Sequence, residues 1–299
     1  MIMSKKLILL DCGFLTAQSR ATLSSLSTED MCTGIIFGFL GRLLFFHKIM
    51  EPCQFVFLWD SKHSHRKKAY PEYKANRRRD LSKEQKQEEK NYRDQVLLLR
   101  RKIIPFLGFA NTFIQKGLEA DDLIAQAIQQ TKIEANECVI VSMDSDLYQL
   151  FSDRVSMFRP GGRMWYSEKD FERDKGISPK DWWRVKAIAG CVSDNVKGVP
   201  LVGEVSAIKY ILKQLNKDQA KYKAIRKNLD IIMRNEELVR LPHKETSGLV
   251  LGEDRLSYKA FERVCKKYEF DSFLEGARGT EWKSFFGAGK SEIRRRLNG

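Results

Sequence analysis

Cys138-Val139-Ile140-Val141-Ser142-Met143-Asp144-Ser145-Asp146 is a short apolar run that gives way to aspartates three and five residues after Val141. An unbroken apolar run of this length suits a strand buried on both faces, as in the middle of a parallel sheet. The same pattern occurs twice upstream: Leu7-Ile8-Leu9-Leu10 ends in Asp11, and Phe55-Val56-Phe57-Leu58-Trp59 ends in Asp60. Ala110–Ile114 is a weaker fourth run. Helical stretches lie between, for example Met31–Lys48 and Leu123–Lys132. Strands alternating with helices predict an α/β domain on a mostly parallel sheet flanked by helices. In such a sheet the carboxyl ends of the strands share one edge, where ligands bind.

Three strand ends that each deliver a carboxylate would gather like charges, which forces protonation unless a cation sits among them. Glu119-Ala120-Asp121-Asp122, just before the helical stretch at Leu123, adds to the group. Carboxylate oxygens suit magnesium or manganese rather than zinc. Two such ions a few Å apart are a common arrangement for phosphodiester hydrolysis. Any one of these acids also has a plain reading as a turn residue or a helix N-cap. Capping explains at most one of Glu119, Asp121 and Asp122. No competing catalytic set is present: there is no G-x-x-x-x-G-K-[ST] loop and no G-x-S-x-G elbow, and His47, His63, His65 and His243 form no H-E-x-x-H pattern.

The 299 residues allow one large domain or two modest ones. With 42% hydrophobic and 31% charged residues the chain lies far from the disordered class. A net charge of +14 implies a polyanionic partner or simply a basic, soluble protein. Cysteines at 12, 32, 53, 138, 191 and 265 form no CxxC pair and read as reduced thiols in a cytoplasm. Lys5 and Lys6 precede only four apolar residues before Asp11, unlike a signal peptide. Gly34–Phe46, broken by Arg42, falls short of the roughly 20 residues of a membrane span and reads as a core helix. No membrane association is expected. Residues 62–105 are polar and crowded with charge, which predicts an exposed, largely helical insertion in a core of residues 1–177. Residues 178–299 read as a second, mostly helical region.

From Lys62 to Arg79 the insertion concentrates Lys62, Arg66, Lys67, Lys68, Lys74, Arg77, Arg78 and Arg79 against one acid, Glu72. Pro71 fits the first turn of a helix, which would put Lys74 and Arg77 on one face. Such a pair can clamp a phosphate and stabilise charge in its transition state, and Tyr70 and Tyr73 can stack on a base. The plain alternative is a solvated helix face. Gly198-Val199-Pro200-Leu201-Val202-Gly203 precedes a helical pattern near Glu204. It reads either as backbone amides offered to a phosphate or as a commonplace turn. Trp182 and Trp183 open the second region, at least one of them as core. The basic end, Lys290 and Arg294 to Arg296, touches nucleic acid or is solvated.

Glu119-Ala120-Asp121-Asp122, Ser142-Met143-Asp144-Ser145-Asp146 and Ala189-Gly190-Cys191-Val192-Ser193-Asp194-Asn195 resemble the successive motifs of the 5′-3′ exonuclease and flap endonuclease family. Pro71-Glu72-Tyr73-Lys74-Ala75-Asn76-Arg77 resembles its arch motif. Bacteriophage members and the 5′-nuclease domain of bacterial DNA polymerases are the nearest in pattern, and the matched motifs run from Asp11 to Gly203. The resemblance implies a PIN-like 5′-nuclease core, a helical arch and a helix–three-turn–helix element with a duplex-binding hairpin at 186–212. It implies two magnesium or manganese ions, one served by Asp11, Asp60, Glu119, Asp121 and Asp122, the other by Asp144, Asp146 and Asp194. Lys74 and Arg77 would clamp the phosphate, with Lys186 as a supporting cation. Lys67, Tyr70, Tyr73, Lys197, Gly198 and Gly203 would contact nucleic acid, with potassium at the hairpin.

Two residues depart from the family pattern. Cys191 stands where an acid is usual, three residues before Asp194, and a thiol is a poor ligand for magnesium, so the second ion would be held weakly. Cys12 stands where a glycine usually follows the first aspartate. The implied activity is hydrolysis of branched or 5′-ended DNA, and of RNA primers in RNA–DNA hybrids, in replication or repair of a phage genome. A polymerase or a single-strand binding protein would be the partner, and the host cytoplasm the setting. Two other readings stand beside it: a branched-DNA-binding protein with weakened catalysis, kept open by Cys191, and a PIN-like ribonuclease with the same acids over a parallel sheet.

Overall fold

Leu7 to Leu10 are at most 3% exposed, because β1 (Lys6–Asp11) runs through the middle of a six-stranded sheet. The computed structural model describes residues 6–23, 26–29, 31–77, 80–131, 137–162 and 165–287. On one side of β1 lie β2 (Cys53–Leu58) and then β3 (Thr112–Phe113). On the other lie β4 (Cys138–Val141), β5 (Val155–Phe158) and β6 (Trp165–Tyr166). All neighbours are parallel except β6, which returns antiparallel to β5. Leu10 pairs with Phe57 on one side and Val141 on the other. Asp11, Asp60 and Asp144 therefore leave three adjacent strands at one edge, as the sequence pattern requires.

The pleat sends alternate residues to opposite faces. Ile8, Leu10, Phe55 and Phe57 join one core with the helix Gly34–Met50, which covers nearly the span expected from its greasy run. Leu7, Leu9, Val56 and Leu58 join the other with the helix Ala120–Thr131. The expected end of that helix, Lys132, lies outside the described residues. The later helices divide between the two faces. Trp182, Val185 and Ile188 of the helix Trp182–Ala189 join the second core. Phe261 of the helix Tyr258–Lys267 and Trp282 of the helix Gly276–Phe285 join the first.

An extended strap connects these two groups. Three side-chain amides hold it, each giving and taking one hydrogen bond with the strap's backbone. They are Gln115 with Ser247 (2.9 and 2.9 Å), Gln130 with Leu249 (3.1 and 2.8 Å) and Asn111 with Gly252 (2.9 and 2.8 Å).

The 62–105 insertion is largely helical, but not where Pro71 suggested. A short helix, His65–Ala69, is followed by a turn at 71–74, and Lys74 adopts the left-handed region at φ +53°. Lys74 and Arg77 therefore do not share a helix face. The long helix Lys83–Leu98 starts at Ser82, whose hydroxyl and backbone exchange hydrogen bonds with Gln85. It lies along the helix Cys12–Leu23, with Tyr92 Oη 2.9 Å from Thr16 Oγ1 and Arg20 Nη1 2.7 Å from Glu89 Oε2. Strands β5 and β6 escape sequence reading: Ser156 interrupts the first and the second has only two residues.

Candidate active site

Five carboxylates line a cleft of about 490 Å³ at the strand edge: Asp11, Asp60, Asp121 and Asp144, with Glu119 beside them. Asp11 ends β1 and accepts from Phe14 N–H and Ser142 Oγ, each at 2.9 Å. Asp60 accepts from Ala120 N–H at 2.9 Å, which ties the end of β2 to the start of the helix carrying Asp121. Asp144 accepts from Asp146 N–H at 2.8 Å.

Among the described residues no lysine or arginine comes within 4 Å of Asp11, Asp60, Asp121 or Asp144, although Lys74 and Arg77 line the same cleft. Burial, then the neighbouring Asp60, pushes the Asp11 carboxyl up to about 7. Burial first, then Asp144 and Asp11, raises Asp121 as well. Asp144 rises through burial and Asp146. Asp60, although exposed at the cleft, rises too: desolvation by the surrounding protein leads, then Glu119, and these outweigh the Ala120 N–H, Lys74 and Arg77, which oppose them. Like charges crowded this closely require a cation or protons. The donor set is oxygen throughout, which fits a hard divalent ion.

The other acids already have cations. Tyr73 Oη lies 2.9 Å from Glu119 Oε2 and 3.0 Å from Asp194 Oδ2, with its one proton shared between the two carboxylates. Lys74 Nζ lies 2.7 Å from Glu119 and 3.6 Å from Asp194, and Arg77 Nη2 lies 2.7 Å from Asp194 Oδ1. Burial pushes Glu119 upward, but Lys74 and Arg66 together outweigh it and hold the carboxyl below its ordinary value. The turn bearing Lys74 is itself docked on the turn at 192–195. Lys74 N–H donates to Asp194 O and Asn195 Nδ2 to Glu72 O, both at 2.8 Å.

Asp122 corrects the ligand set implied by the sequence. It is fully buried, and Arg66 grips it with two bonds of 2.6 and 2.7 Å. Its oxygens also accept from Glu119 N–H (3.1 Å) and His243 N–H (2.8 Å), so both are satisfied within the protein. Burial raises this carboxyl, yet Arg66 more than reverses that. Asp122 is the capping acid of the three, not a metal ligand. Arg66, 3% exposed, leaves the solvent-facing basic set for the same reason.

Asp144 falls with Asp11, Asp60 and Asp121 rather than with Asp146 and Asp194. The remaining donors gather around Cys191, where ligand atoms of Asp146, Cys191 and Asp194 lie within 4.8 Å of one another. Cys191 is 5% exposed, 3.7 Å from Asp146 Oδ2 and 3.1 Å from Ser193 Oγ. Burial and Asp146 push its thiol up, so it stays protonated and neutral near pH 7. Lys186 Nζ reaches Asp146 Oδ1 at 3.0 Å and Ser145 Oγ at 2.9 Å, as a supporting cation would.

The expected nucleic-acid contacts divide. Tyr73, 3% exposed and bonded to two acids, offers no free ring face, which corrects its reading as a stacking platform. Tyr70 is half-buried with the Arg234 guanidinium 4.7 Å from its ring centre. Lys67 is half-exposed on its short helix, and Lys197 is exposed on β8 (Val196–Lys197), which pairs with β7 (Gly190–Cys191). Gly198 serves packing: a Cβ there would lie 2.2 Å from the Ala189 carbonyl. Gly203 is open and precedes the helix Glu204–Ile211. Arg78, Arg79, Lys290 and Arg294 to Arg296 lie outside the described residues. Sequence reasoning missed the Arg66–Asp122 pair and the Tyr73 bridge, which join residues 56 and 46 positions apart with no shared motif.

A family model described as 5′-3′ exonuclease, N-terminal resolvase-like domain, matches residues 6–176. The chain is 34% identical over 167 residues to the thermostable DNA polymerase I of Thermus thermophilus, covering 56% of this chain but only 18% of the polymerase. The fold is similar to that of the bacteriophage T5 D15 protein co-crystallised with metal ions. The TM-score is 0.70 at 21% identity, covering 80% of this chain and 90% of D15. It is also similar to the T5 D15 flap endonuclease in a pseudo-enzyme–product complex with DNA and metal ions, with a TM-score of 0.66 at 22% identity over 80% and 90% of the two chains.

Proposed function

This chain belongs to the 5′-3′ exonuclease family, and from that premise we propose that it hydrolyses phosphodiester bonds near the 5′ ends and flaps of branched DNA, and of RNA primers paired to DNA. One observation carries the reading: Asp11, Asp60, Asp121 and Asp144 form an unneutralised cluster at the strand edge, with Lys74 and Arg77 lining the same cleft.

Asp11, Asp60, Asp121 and Asp144 would hold one magnesium or manganese ion, and Asp146 and Asp194, beside Cys191, a second and weaker one. A bound divalent ion supplies Lewis acidity and a nucleophile near neutral pH. Lys74 and Arg77 turn from Glu119 and Asp194 to the scissile phosphate, where preformed cations stabilise developing charge. Lys186 keeps Asp146 oriented. The product keeps its phosphate at the 5′ end. Lys67, Tyr70 and Lys197 line the strand, and the hairpin ending in Gly203, with potassium, takes the duplex backbone without reading sequence. Residues 1–177, with the insertion at 62–105, act as the catalytic core, and the hairpin region at 186–212 within 178–299 as the duplex grip.

The T5 protein whose fold this chain shares was crystallised with metal ions and with DNA, and the polymerase relative supports a setting in replication, beside a polymerase or single-strand binding protein. The setting we propose is the cytoplasm; among the described residues no helix is long and apolar enough to cross a membrane. The deciding experiment is cleavage of a labelled 5′-flap duplex and a matched RNA, each with and without magnesium. Metal-dependent release of 5′-phosphorylated flap product supports the reading. RNA-only cleavage points to a PIN-like ribonuclease. Tight flap binding without cleavage points to a weakened enzyme, the reading that the neutral Cys191 thiol favours.

A further inference from the structure

A second cavity, of about 260 Å³, opens beside the helix Gly34–Met50. Leu23, Phe37 and Phe45 give it apolar walls, and among the described residues that line it Arg42 and Arg278 carry the charge. It shares no lining residue with the acid cleft. Arg42 is half-buried, and its Nε is buried with no hydrogen-bond partner. Burial alone weakens its hold on the proton, with no acid near enough to oppose that. The Arg278 guanidinium lies 4.5 Å from the Phe273 ring centre and 5.5 Å from that of Phe37, over two rings stacked at 4.3 Å. It also occupies the space a side chain on Gly41 would need, 3.2 Å from where that Cβ would be. Neither arginine pairs with a carboxylate among the described residues.

A guanidinium taken out of water without a partner is costly, and proteins pair such charges. Here only the Nε of Arg42 is buried without a partner, while the exposed Arg278, held over aromatic rings, opens onto the same apolar-walled cavity, with no acid among its described lining residues. The missing component is an anion. Two guanidiniums match a doubly charged phosphate better than a single carboxylate, and their planar forks suit its oxygens. We propose that Arg42 and Arg278 form a phosphate-binding site separate from the acid cleft. The phosphate is either part of a nucleic-acid strand or free, as inorganic phosphate or a mononucleotide.

The full chain is tested in chelator, so that no metal occupies the acids. Inorganic phosphate is compared with chloride at equal ionic strength by thermal unfolding. Tm should rise by about 2–5 °C at saturating phosphate. The rise should vanish in Arg42→Met and in Arg278→Gln. Arg278 is exposed, so its variant remains informative even if Arg42→Met folds poorly. A second arm measures flap-duplex affinity against salt. A strand phosphate at the site lowers the slope of log K against log salt by about 1 in Arg278→Gln, whereas a free phosphate leaves the slope unchanged. An equal phosphate-induced rise in the natural chain and Arg278→Gln, or no rise in either, overturns the site. A larger rise with a poly-glutamate peptide than with phosphate overturns the assignment to phosphate.

Discussion

Two groups of acids meet at one sheet edge and behave in opposite ways. Asp11, Asp60, Asp121 and Asp144 face the cleft with no lysine or arginine within 4 Å, and their carboxyls are pushed up. Glu119, Asp122, Asp146 and Asp194 each touch a lysine or arginine within 4 Å. The division cuts through single motifs: Asp121 and Asp122 are neighbours in sequence and fall on different sides. A run of acids is therefore not one functional unit. The helix start turns one residue toward the cleft and the next toward Arg66, and the neighbour each meets decides whether it awaits a cation or has one.

The sharpest way to break this comparison is to remove one acid from each group. Asp121→Asn should lower single-turnover flap cleavage at saturating magnesium by about a thousandfold or more, since metal-supported chemistry is lost. Folding should survive, because one unneutralised charge leaves a crowded cluster. Full activity in that variant removes Asp121 from the metal site. Asp122→Asn should do the reverse, leaving Arg66 buried and half-paired at a cost of about 3–5 kcal/mol in stability. Urea denaturation measures it, and a variant as stable as the natural chain would erase the distinction.

Lys74 bridges the two groups. Lys74→Ala should slow the chemical step by about a hundredfold while leaving DNA affinity nearly unchanged, because the cation matters most as charge develops. A fall in affinity with an unchanged single-turnover rate makes it an ordinary phosphate contact.

The unneutralised group also sets a pH signature. The folded value for Asp11, about 7, lies above its ordinary value of 3.8. The folded state therefore holds a proton that the unfolded chain releases between those values. Without metal, stability should be lowest above pH 7 and rise as pH falls toward 4, by up to about 1.4 kcal/mol per pH unit for each extra proton held. Magnesium should flatten that rise. Thermal unfolding across pH in chelator and in magnesium checks it, and parallel curves count against a vacant acid cluster. The smallest effect concerns Cys191. Cys191→Asp should raise cleavage at low magnesium by about threefold to tenfold, with manganese narrowing the gap for the natural chain. Superimposable magnesium titrations would free this position from the second ion.

The central strands and their terminal acids were legible because a doubly buried parallel strand must be continuously apolar, and Asp11, Asp60 and Asp144 interrupt that apolarity. The capping role of Asp122 was legible only as a choice among three residues, since no sequence rule says which of them meets Arg66. Tyr73 was misread because an aromatic among basic residues looks like a stacking platform. Its burial depends on the 192–195 turn, more than a hundred residues away. Pro71 misled in the same way: it suits a helix start and a tight turn equally, and Lys74 N–H is held by Asp194 O in the turn.

The strap from Ser247 to Gly252 carries a consequence of another kind. Asn111, Gln115 and Gln130 recognise only its peptide groups, donating to carbonyls and accepting from N–H groups, so nothing in that grip depends on the strap's own side chains. The three amides fix the strap's path through its backbone, while Leu249 separately anchors it in the second core. The strap also lies beside the short edge strand β3, held there through the Asn111 side chain, so that edge is covered by a loop rather than left open to another strand.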